Sequence, residues 1–512
     1  MHTTRHPSLP LAPALRLTLL FLLTTAAALW LTGCRSTPPR PEREPAERVV
    51  RVTQQVGGTH YRMLMHEGVW YQTFGTDLMI LEPRSGRSIR TVSLGRIGEV
   101  GPAKDLAIVG ERMYVVLDRD QVVELSLSEP RNPWIVERYD ARALGIEPQR
   151  VSAVNGEAYV SGRGGVVRMS DQRRVFSHAE AAGPVLDSGE GLVTTVGRRI
   201  YRVIDGEFVG SASELAPAEL SRVPEGTMAF MRRASVGAIV GLMGPDLREL
   251  DTRKLTVAVR GEVRSVRTFD DRLWVVSDEE VQCFAVREDR LVRVREIDLL
   301  GAVDVAPAGD DYLALAGTFG RTIYRIRSTS RGPGETFLQT QREPSRLRNA
   351  RSDGRHIVAG SEEGVWLYRI GSTVQLADES PDEPGDPVLM RSTSLDAEAV
   401  IIEDGRALSV TREGRTLIHR EPNDAVMHVI VPIDGDFWVG HDDGITVISA
   451  RLDIAARLEQ GRAEGDLATA RLRIDGPVTA LFPLMVDDGV AFVSTYGGFG
   501  TAAYVRERGR SN

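Results

Sequence analysis

The sequence predicts an all-β fold, a β-propeller built from about ten or eleven four-stranded repeat units. Three observations support this prediction. Short runs of β-branched and aromatic residues recur along the chain, Gly, Asp or Asn turns separate them, and the pattern repeats about every 42 residues. Four antiparallel strands in a unit of this length are typical of a propeller blade. We expect the units to occupy residues 49–512.

The period follows from the second strand of each unit. These strands are predicted near Trp70, Met113, Ala158, Leu192, Ala238, Leu273, Tyr312, Ile357, Ala399, Phe437 and Ala491. Eleven units exceed the four to eight blades that are typical of one ring. Two smaller rings, one large ring and an overcount therefore stay open, and the weakest unit is Thr227–Leu250, where two runs also fit a single hairpin.

The two ends of the repeat region complement each other. The last unit ends soon after its third strand, Ala502–Arg506, and leaves no room for a fourth. Val49–Gln54 is a strand-like run without a partner at the other end. Because an open ring leaves sheet edges unpaired, we expect this N-terminal strand to complete the last unit and close the propeller.

Four tryptophans fall within hairpin strands of different units: Trp70, Trp274, Trp366 and Trp438. A tryptophan side chain buries a large apolar area. We expect these residues to pack between neighbouring units.

The first 33 residues have the layout of a signal peptide. Two arginines precede the uncharged stretch Leu17–Leu31, which is rich in Leu, Ala and Thr. The stretch ends in Leu31-Thr32-Gly33-Cys34, which resembles the lipobox of bacterial lipoproteins. This resemblance implies cleavage before Cys34, acylation of its thiol and amine, and stable attachment to a membrane of the cell envelope. The alternative is one membrane-spanning helix, because 18 uncharged residues separate Arg16 from Arg35.

Residues 34–48 are predicted to form a tether. Four prolines and seven charges between Arg35 and Arg48 favour extended polyproline geometry over a packed structure. Ser36 follows the anchor in place of the Asp that resembles an inner-membrane retention signal in enteric bacteria. The resemblance therefore implies the outer membrane and leaves the periplasmic or surface face open.

Two repeat families resemble parts of the chain. Gln121–Leu125 followed by Ser128–Pro133 resembles the LVIVD repeat of bacterial surface propellers, with Ser126 where that repeat usually has Asp. Gly68–Gly95 is similar to the PQQ-like repeat of quinoprotein dehydrogenases and of the propeller lipoprotein of the outer-membrane barrel-assembly machine, without its outer-strand Trp. Each resemblance covers one or two units, so both imply the fold rather than an activity.

Composition and motifs exclude several function classes. The formal charge of −8 argues against nucleic acid as a partner. Cys34 and Cys283 are the only cysteines, which excludes a disulfide framework or a multi-cysteine metal site. No nucleophile elbow, zinc-protease helix, P-loop or EF-hand loop occurs in the sequence. We therefore predict no catalytic residue and no cofactor. We also predict no metal site, because His441-Asp442-Asp443, the trio most like a set of metal ligands, has the composition of an ordinary turn.

The candidate binding site is an acidic rim. Turns between the second and third strands of propeller units open on one face, where propellers usually bind ligands. Acids recur in these turns: Asp118, Asp120, Asp278, Glu279, Glu280, Glu362, Glu363, Glu403, Asp404, Asp442 and Asp443. Such a rim can attract a cationic ligand or a basic partner surface. The general preference of turns for polar residues also accounts for these acids.

These features favour a lipid-anchored, non-catalytic binding scaffold for a protein or an envelope polymer. The alternative is a propeller enzyme, such as a quinoprotein-like oxidoreductase or a lyase, whose active groups are scattered over several units. A quinone cofactor belongs to that alternative alone. A β-sandwich adhesin is disfavoured because a period near 42 residues is long for the strand pairs of a sandwich.

Overall fold

The computed structural model describes residues 48–506, except for 57, 84–85, 87, 97, 120, 198, 205, 207, 211–218, 223–227, 234–237, 244–256, 270–271, 288–289, 308–311, 330–331, 342–345, 354, 362–363, 371–373, 378–390, 395–396, 450–465 and 485–487. The predicted signal peptide, Cys34, nearly all of the predicted tether, Asp120, Glu362 and Glu363 lie outside the described residues. Residues Val50–Val505 belong to one compact unit.

The described chain is almost entirely β-structure, arranged in eleven four-stranded sheets. Strand β1 (Arg48–Val56) comes first in the chain. Sheet 1 comprises β2 (His60–His66), β3 (Val69–Phe74), β4 (Asp77–Leu81) and β5 (Ser88–Ser93). Sheet 2 comprises β6 (Ala103–Val109), β7 (Arg112–Leu117), β8 (Gln121–Ser126) and β9 (Trp134–Asp140). Sheet 3 comprises β10 (Glu147–Val154), β11 (Glu157–Arg163), β12 (Gly165–Arg168) and β13 (Arg173–Phe176).

The next four sheets repeat this order. Sheet 4 comprises β14 (Leu186–Asp187), β15 (Leu192–Val196), β16 (Arg199–Arg202) and β17 (Phe208–Gly210). Sheet 5 comprises β18 (Glu219–Arg222), β19 (Met228–Arg233), β20 (Ala238–Met243) and β21 (Val257–Val259). Sheet 6 comprises β22 (Val263–Phe269), β23 (Arg272–Ser277), β24 (Glu280–Arg287) and β25 (Arg290–Asp298). Sheet 7 comprises β26 (Ala302–Pro307), β27 (Tyr312–Gly317), β28 (Gly320–Thr329) and β29 (Gly332–Gln341).

Four sheets complete the chain. Sheet 8 comprises β30 (Arg348–Ser352), β31 (His356–Ser361), β32 (Gly364–Arg369) and β33 (Val374–Ala377). Sheet 9 comprises β34 (Arg391–Ser394), β35 (Ala397–Ile402), β36 (Ala407–Arg412) and β37 (Arg415–His419). Sheet 10 comprises β38 (Met427–Ile433), β39 (Asp436–His441), β40 (Gly444–Ser449) and β41 (Ala468–Arg473). Sheet 11 comprises β42 (Val478–Pro483), β43 (Gly489–Ser494), β44 (Gly498–Arg506) and, as its outer strand, β1.

Helical structure is sparse. Helix α1 (Ala141–Leu144) begins where the Asp140 carboxylate accepts the Ala143 N–H and ends at Gly145, whose φ of 65° is readily adopted by glycine. Two single 3-10 turns span Glu403–Gly405 and Pro422–Asp424. Among the described residues, no helix has the length and apolar character needed to cross a bilayer.

The N-terminal strand completes the last sheet, as the sequence predicts. β1 pairs with β44, although the two strands lie at opposite ends of the chain. The Thr53 hydroxyl lies 2.7 Å from the Thr501 hydroxyl and 3.1 Å from the Thr501 carbonyl oxygen. Gln55 adds a 2.7 Å hydrogen bond from its side-chain amide to the Gly497 carbonyl. The first strand of the described chain is therefore tied to its last strand.

One predicted strand position is wrong. Ala238 begins β20, the third strand of sheet 5, whereas the second strand is β19. The two strands pair along their whole length, and Glu219–Arg222 and Val257–Val259 flank them. Both middle strands of sheet 5 are apolar runs, and alternation alone does not distinguish the second strand of a sheet from the third.

Neighbouring sheets pack in chain order from sheet 1 to sheet 7, and sheet 7 also contacts sheet 1. Each first strand lies beside the first strand of the next sheet, and β26 lies beside β2. Trp70 of sheet 1 is fully buried against Ala314 and Ala316 of sheet 7. Its indole N–H donates to the Pro307 carbonyl at 3.1 Å. Trp274 likewise packs between sheets 6 and 7.

Sheets 8–11 form a second group. Sheet 9 contacts sheet 10, sheet 10 contacts sheet 11, and sheet 11 contacts sheet 8. Trp438 is buried between sheets 10 and 11. Trp366 shares a cluster with Phe499 of sheet 11. The prediction that the four tryptophans pack between neighbouring units is therefore confirmed.

Candidate functional site

Four of the acids in the predicted rim line one cavity of about 320 Å³. They are Asp118 in the β7–β8 turn, Asp278 in the β23–β24 turn, and Asp442 and Asp443 in the β39–β40 turn. Thr318 of the β27–β28 turn and Tyr496 of the β43–β44 turn also line it. Turns between second and third strands from five sheets therefore meet at one place. The two groups of sheets face each other there, because sheets 2, 6 and 7 contribute one side and sheets 10 and 11 the other.

The segment Arg473–Gly476 joins β41 to β42 within the second group and contacts residues of the first group. Gly98 forms an isolated β-bridge with Arg473. An Arg473 guanidinium N–H donates to the Asp118 carbonyl at 3.5 Å, and the Ile474 N–H donates to the Asp443 carbonyl at 3.2 Å. These two hydrogen bonds, both accepted by backbone carbonyls, hold the Asp118 and Asp443 turns beside one short segment.

Asp475 anchors the same segment through its carboxylate, which is 8% exposed. The Tyr61 hydroxyl lies 2.7 and 2.6 Å from the two carboxylate oxygens and donates to one of them. Lys104 places its Nζ 3.0 Å from the carboxylate and 3.7 Å from the centre of the Tyr61 ring. Burial, followed by the charge of Asp475, raises the pKa of Tyr61 well above its ordinary value. The phenol is therefore neutral at pH 7, and the three groups form a satisfied polar floor.

Two of the cavity acids are held by neighbouring groups. Asp278 accepts the Glu262 N–H at 2.7 Å and lies 3.6 Å from the Arg264 guanidinium. Asp442 accepts the Val426 N–H at 3.0 Å, and its other oxygen lies 2.6 Å from His428 Nε2. These carboxylates tie their turns to the start of the first strand of the same sheet.

The cavity is mixed in charge rather than uniformly acidic. Lys104, Arg264, Arg346 and Arg473 line it together with the acids. Sequence reasoning missed these residues and Tyr61 and Asp475, which lie outside the second-to-third-strand turns. Tyr61 and Asp475 are separated by 414 positions in the chain, so no local pattern indicates that they meet.

The remaining described acids of the predicted rim lie elsewhere. Glu279 is exposed, and Glu403 forms a 2.6 Å ion pair with Arg420 beside Asp404. Glu280 is fully buried and accepts both the backbone N–H and the Nε–H of Arg260 at 2.8 Å. None of these four acids lines the cavity.

Glu280, Glu296 and Asp298 have carboxylate oxygens close enough to share a metal ion. The Arg260 guanidinium already lies among them, 2.7 Å from Glu280, 3.4 Å from Glu296 and 2.5 Å from Asp298. A bound cation would have to displace this arginine. The trio is therefore an arginine-bridged cluster.

The His441-Asp442-Asp443 trio does not converge on one point. His441 is buried, and its Nδ1 accepts the Asp443 N–H at 3.2 Å while its Nε2 contacts the Thr446 hydroxyl at 3.1 Å. Burial lowers the pKa of His441 and keeps the ring neutral. Both ring nitrogens are thus used within the turn, while Asp442 faces His428.

A second cavity, of about 540 Å³, lies among the first strands of sheets 1–4 and 6. Arg62 and Arg267 line it, and both donate to the buried Asp304 carboxylate, at 3.4 Å for Arg62 and at 2.9 and 3.0 Å for Arg267. Arg62 also donates to Asp105 at 2.9 Å. The ion pairs thus run from Arg267 of sheet 6 through Asp304 of sheet 7 and Arg62 of sheet 1 to Asp105 of sheet 2.

Two equivalent hydrogen bonds join neighbouring sheets beside this cavity. Asp105 of sheet 2 accepts the Val151 N–H of sheet 3 at 3.1 Å. Asp304 of sheet 7 accepts the Met63 N–H of sheet 1 at 3.0 Å. Both acids follow a register shift near the start of a first strand, as do both donors. The contact between sheets 7 and 1 therefore repeats the contact between sheets 2 and 3.

No protein-family model matches the chain, and no curated protein matches it. Among solved structures, the computationally designed Ika8 protein is similar to part of it. The alignment covers 63% of this chain and 100% of that chain, with 11% sequence identity and a TM-score of 0.40. Neither fold nor activity follows from a similarity of this size.

Proposed function

We propose that sheets 1–7 form a seven-bladed β-propeller and that sheets 8–11 form a second, four-bladed ring. The contacts of Asp105 and Asp304 support the first ring. The hydrogen bond that Asp304 forms between sheets 7 and 1 is equivalent to the one that Asp105 forms between the consecutive sheets 2 and 3. The burial of Trp70 against sheet 7 supports it as well. Both ring sizes lie within the range of four to eight blades that is typical of propellers. Of the arrangements that the sequence leaves open, two smaller rings fit these contacts best.

We further propose that the protein is a lipid-anchored, non-catalytic binding scaffold of the bacterial cell envelope, attached to the outer membrane through Cys34. Its partner is a protein or an envelope polymer. The observation that carries the binding role is the cavity at which turns of five sheets meet. Ligand sites commonly form where several loops converge on a rigid framework. The lipobox-like Leu31-Thr32-Gly33-Cys34 and the polar segment 34–48 support the anchoring.

The bonding of the cavity floor favours binding over catalysis. A general base needs a free lone pair and a pKa near the working pH. The Tyr61 phenol is neutral and donates to Asp475, and Lys104 is paired with the same carboxylate. These groups supply a fixed, charged surface instead of an activated nucleophile.

Site-specific photo-crosslinking in intact cells tests this proposal. A photoreactive residue replaces Arg119 in the β7–β8 turn, beside the cavity acid Asp118. The matched control replaces Glu413 in the β36–β37 turn, which joins third and fourth strands. Both positions are exposed and have positive φ, 61° and 52°, so backbone strain affects both labels alike.

We expect a discrete crosslinked product from position 119 and none from position 413. With Cys34→Ala, the protein should leave the membrane fraction and the product should be lost. Equal crosslinking at both positions would contradict the binding face. Membrane fractionation unchanged by Cys34→Ala would contradict the lipid anchor.

A further inference from the structure

The cavity of about 320 Å³ has the size and the charges of a small-ligand site. Ligand pockets range from roughly 300 to 1,000 Å³, so this one suits a molecule of amino-acid or dipeptide size. Its described lining contains the carboxylates of Asp118, Asp278, Asp442, Asp443 and Asp475 and the cations of Lys104, Arg264, Arg346 and Arg473. A ligand that carries charges of both signs is complementary to such walls.

Three of the five carboxylates are already paired. Asp475 is held by Tyr61 and Lys104, Asp278 by the Glu262 N–H and Arg264, and Asp442 by the Val426 N–H and His428. These three carboxylates therefore already have partners within the protein.

Asp118 and Asp443 differ from the other three. Asp118 is half-buried and Asp443 is exposed, and within the part of the chain that the structure describes neither carboxylate accepts a hydrogen bond or forms an ion pair. Their backbones are fixed nevertheless, because the Asp118 carbonyl accepts from Arg473 and the Asp443 carbonyl accepts from Ile474. Consecutive residues thus hold two unpaired carboxylates beside one cavity.

An ammonium group satisfies such a pair of carboxylates. It offers three N–H donors and a positive charge, and charge-assisted hydrogen bonds are about twice as strong as neutral ones. Arg264 and Arg346 line the same cavity. Arg264 also pairs with Glu262 at 3.1 Å and Asp278 at 3.6 Å, but a guanidinium has five N–H donors and can bind a further carboxylate beside such partners.

We propose that this cavity binds a small zwitterion, an α-amino acid or dipeptide, with its ammonium group at Asp118 and Asp443 and its carboxylate toward Arg264 and Arg346. The inference rests on the proposed binding function and narrows the chemistry of its ligand. Both acids come from predicted rim turns, so they join the two groups of sheets around one ligand.

Calorimetric titration of the mature, lipidated protein in detergent tests the proposal. The probes are dialanine, alanyl-lysine, alanyl-glutamate and free lysine, each compared with its N-acetylated and its C-terminally amidated form. We expect at least one zwitterion to bind and both blocked forms to bind at least tenfold more weakly. N-acetylation removes the positive charge and amidation removes the negative one.

The double variant Asp118→Asn, Asp443→Asn should weaken binding about ten- to hundredfold, the effect of losing one or two charge-assisted hydrogen bonds. It should fold normally, because neither described carboxylate makes an internal contact to lose. The control Glu403→Gln, Asp404→Asn changes two acids of an equivalent turn outside the cavity and should leave affinity unchanged.

Absence of binding across the probe set overturns the inference, and so does equal binding of the zwitterions and their blocked forms. Crosslinking from position 119 is measured in parallel on the double variant. If the unmodified protein crosslinks from position 119 but binds none of the zwitterions, the ligand is rejected and the scaffold proposal stands. Loss of position-specific crosslinking in the unmodified protein would reject the scaffold itself.

Discussion

Replacing Asp304 with Ala tests the contact that joins sheet 7 to sheet 1. The Asp304 side chain is 0% exposed, accepts the Met63 N–H at 3.0 Å and receives two hydrogen bonds from Arg267 at 2.9 and 3.0 Å. Its removal leaves the Met63 N–H and two arginines without that acceptor. Because β2 and β26 meet at this point, the loss should loosen both strands.

The magnitude follows from the exposure of the remaining partners. Breaking a buried ion pair by removing one member costs about 3–5 kcal/mol. Arg267 is 30% exposed and can regain water, and Arg62 keeps its 2.9 Å contact with Asp105. We therefore expect the lower end of that range, about 3 kcal/mol, which corresponds to about a hundredfold change in an opening equilibrium.

Amide hydrogen exchange measures this change directly. In Asp304→Ala, the amides of β2 and β26 should exchange about a hundredfold faster wherever opening of this contact limits exchange. Asp105→Ala is the matched variant, because Asp105 makes the equivalent contact to Val151. It should accelerate exchange in β6 and β10. Acceleration in Asp105→Ala with no change at β2 in Asp304→Ala would refute the role assigned to Asp304 in the contact between sheets 7 and 1.

The pH dependence has a defined sign. Burial opposes ionisation of Asp304, but the charges of Arg267 and Arg62 and their hydrogen bonds outweigh it, so the folded-state pKa lies below the ordinary 3.8. The carboxylate therefore contributes stability that is present above about pH 4 and is lost as the pH falls through the folded-state value. Asp304→Ala should lack this component of acid destabilisation.

Two further substitutions test the interior of the fold. Burial raises the pKa of Glu421, but the hydrogen bonds with His419 and Thr446 and the electrostatic contributions of His441 and His419 outweigh it and bring the value to about 2. Glu421→Gln should have a lower free energy of unfolding than the unmodified protein at pH 7. Between pH 5 and pH 3, urea denaturation should show that this free energy falls by about 2 kcal/mol less in the variant than in the unmodified protein. Parallel pH curves for the two proteins would contradict this. Trp70→Ala empties a fully buried position and should lower the free energy of unfolding by about 3–5 kcal/mol. The control Trp134→Ala, at a 46% exposed position, should change it by no more than about 0.5 kcal/mol. Equal losses in the two variants would contradict the inter-sheet role of Trp70.

The sequence was sufficient for features that depend on local pattern. Alternating apolar residues and Gly, Asp or Asn turns identify nearly every second strand, because side-chain period and turn geometry are set within a few residues. The incomplete last unit likewise indicated the role of β1. Sheet 5 shows the limit, since Met228–Arg233 and Ala238–Met243 are both short apolar runs and either reads as the second strand.

Contacts between distant units could not be predicted in the same way. Trp70 reaches Pro307 across 237 positions, and Tyr61 reaches Asp475 across 414. The pattern indicates that Trp70 packs between sheets, but not which sheet it meets. Glu280 shows a different limit. The pattern suggests an acid in a rim turn, whereas the residue is the buried first residue of β24 and pairs with the exposed Arg260 from the connection between sheets 5 and 6.

The pairing of two groups of sheets changes what the rim can bind. In one open ring, acids in the second-to-third-strand turns would face solvent and could meet a large basic surface. Here Asp118 and Asp443 belong to different groups and border one cavity of about 320 Å³, a volume that admits a small molecule or a chain end but no folded domain. A folded partner must therefore contact the outer parts of these turns, such as Arg119, while a small zwitterion occupies the space between them. The two proposals thus concern different surfaces of the same turns, which is why crosslinking at position 119 and calorimetry on the Asp118 and Asp443 variants can fail independently.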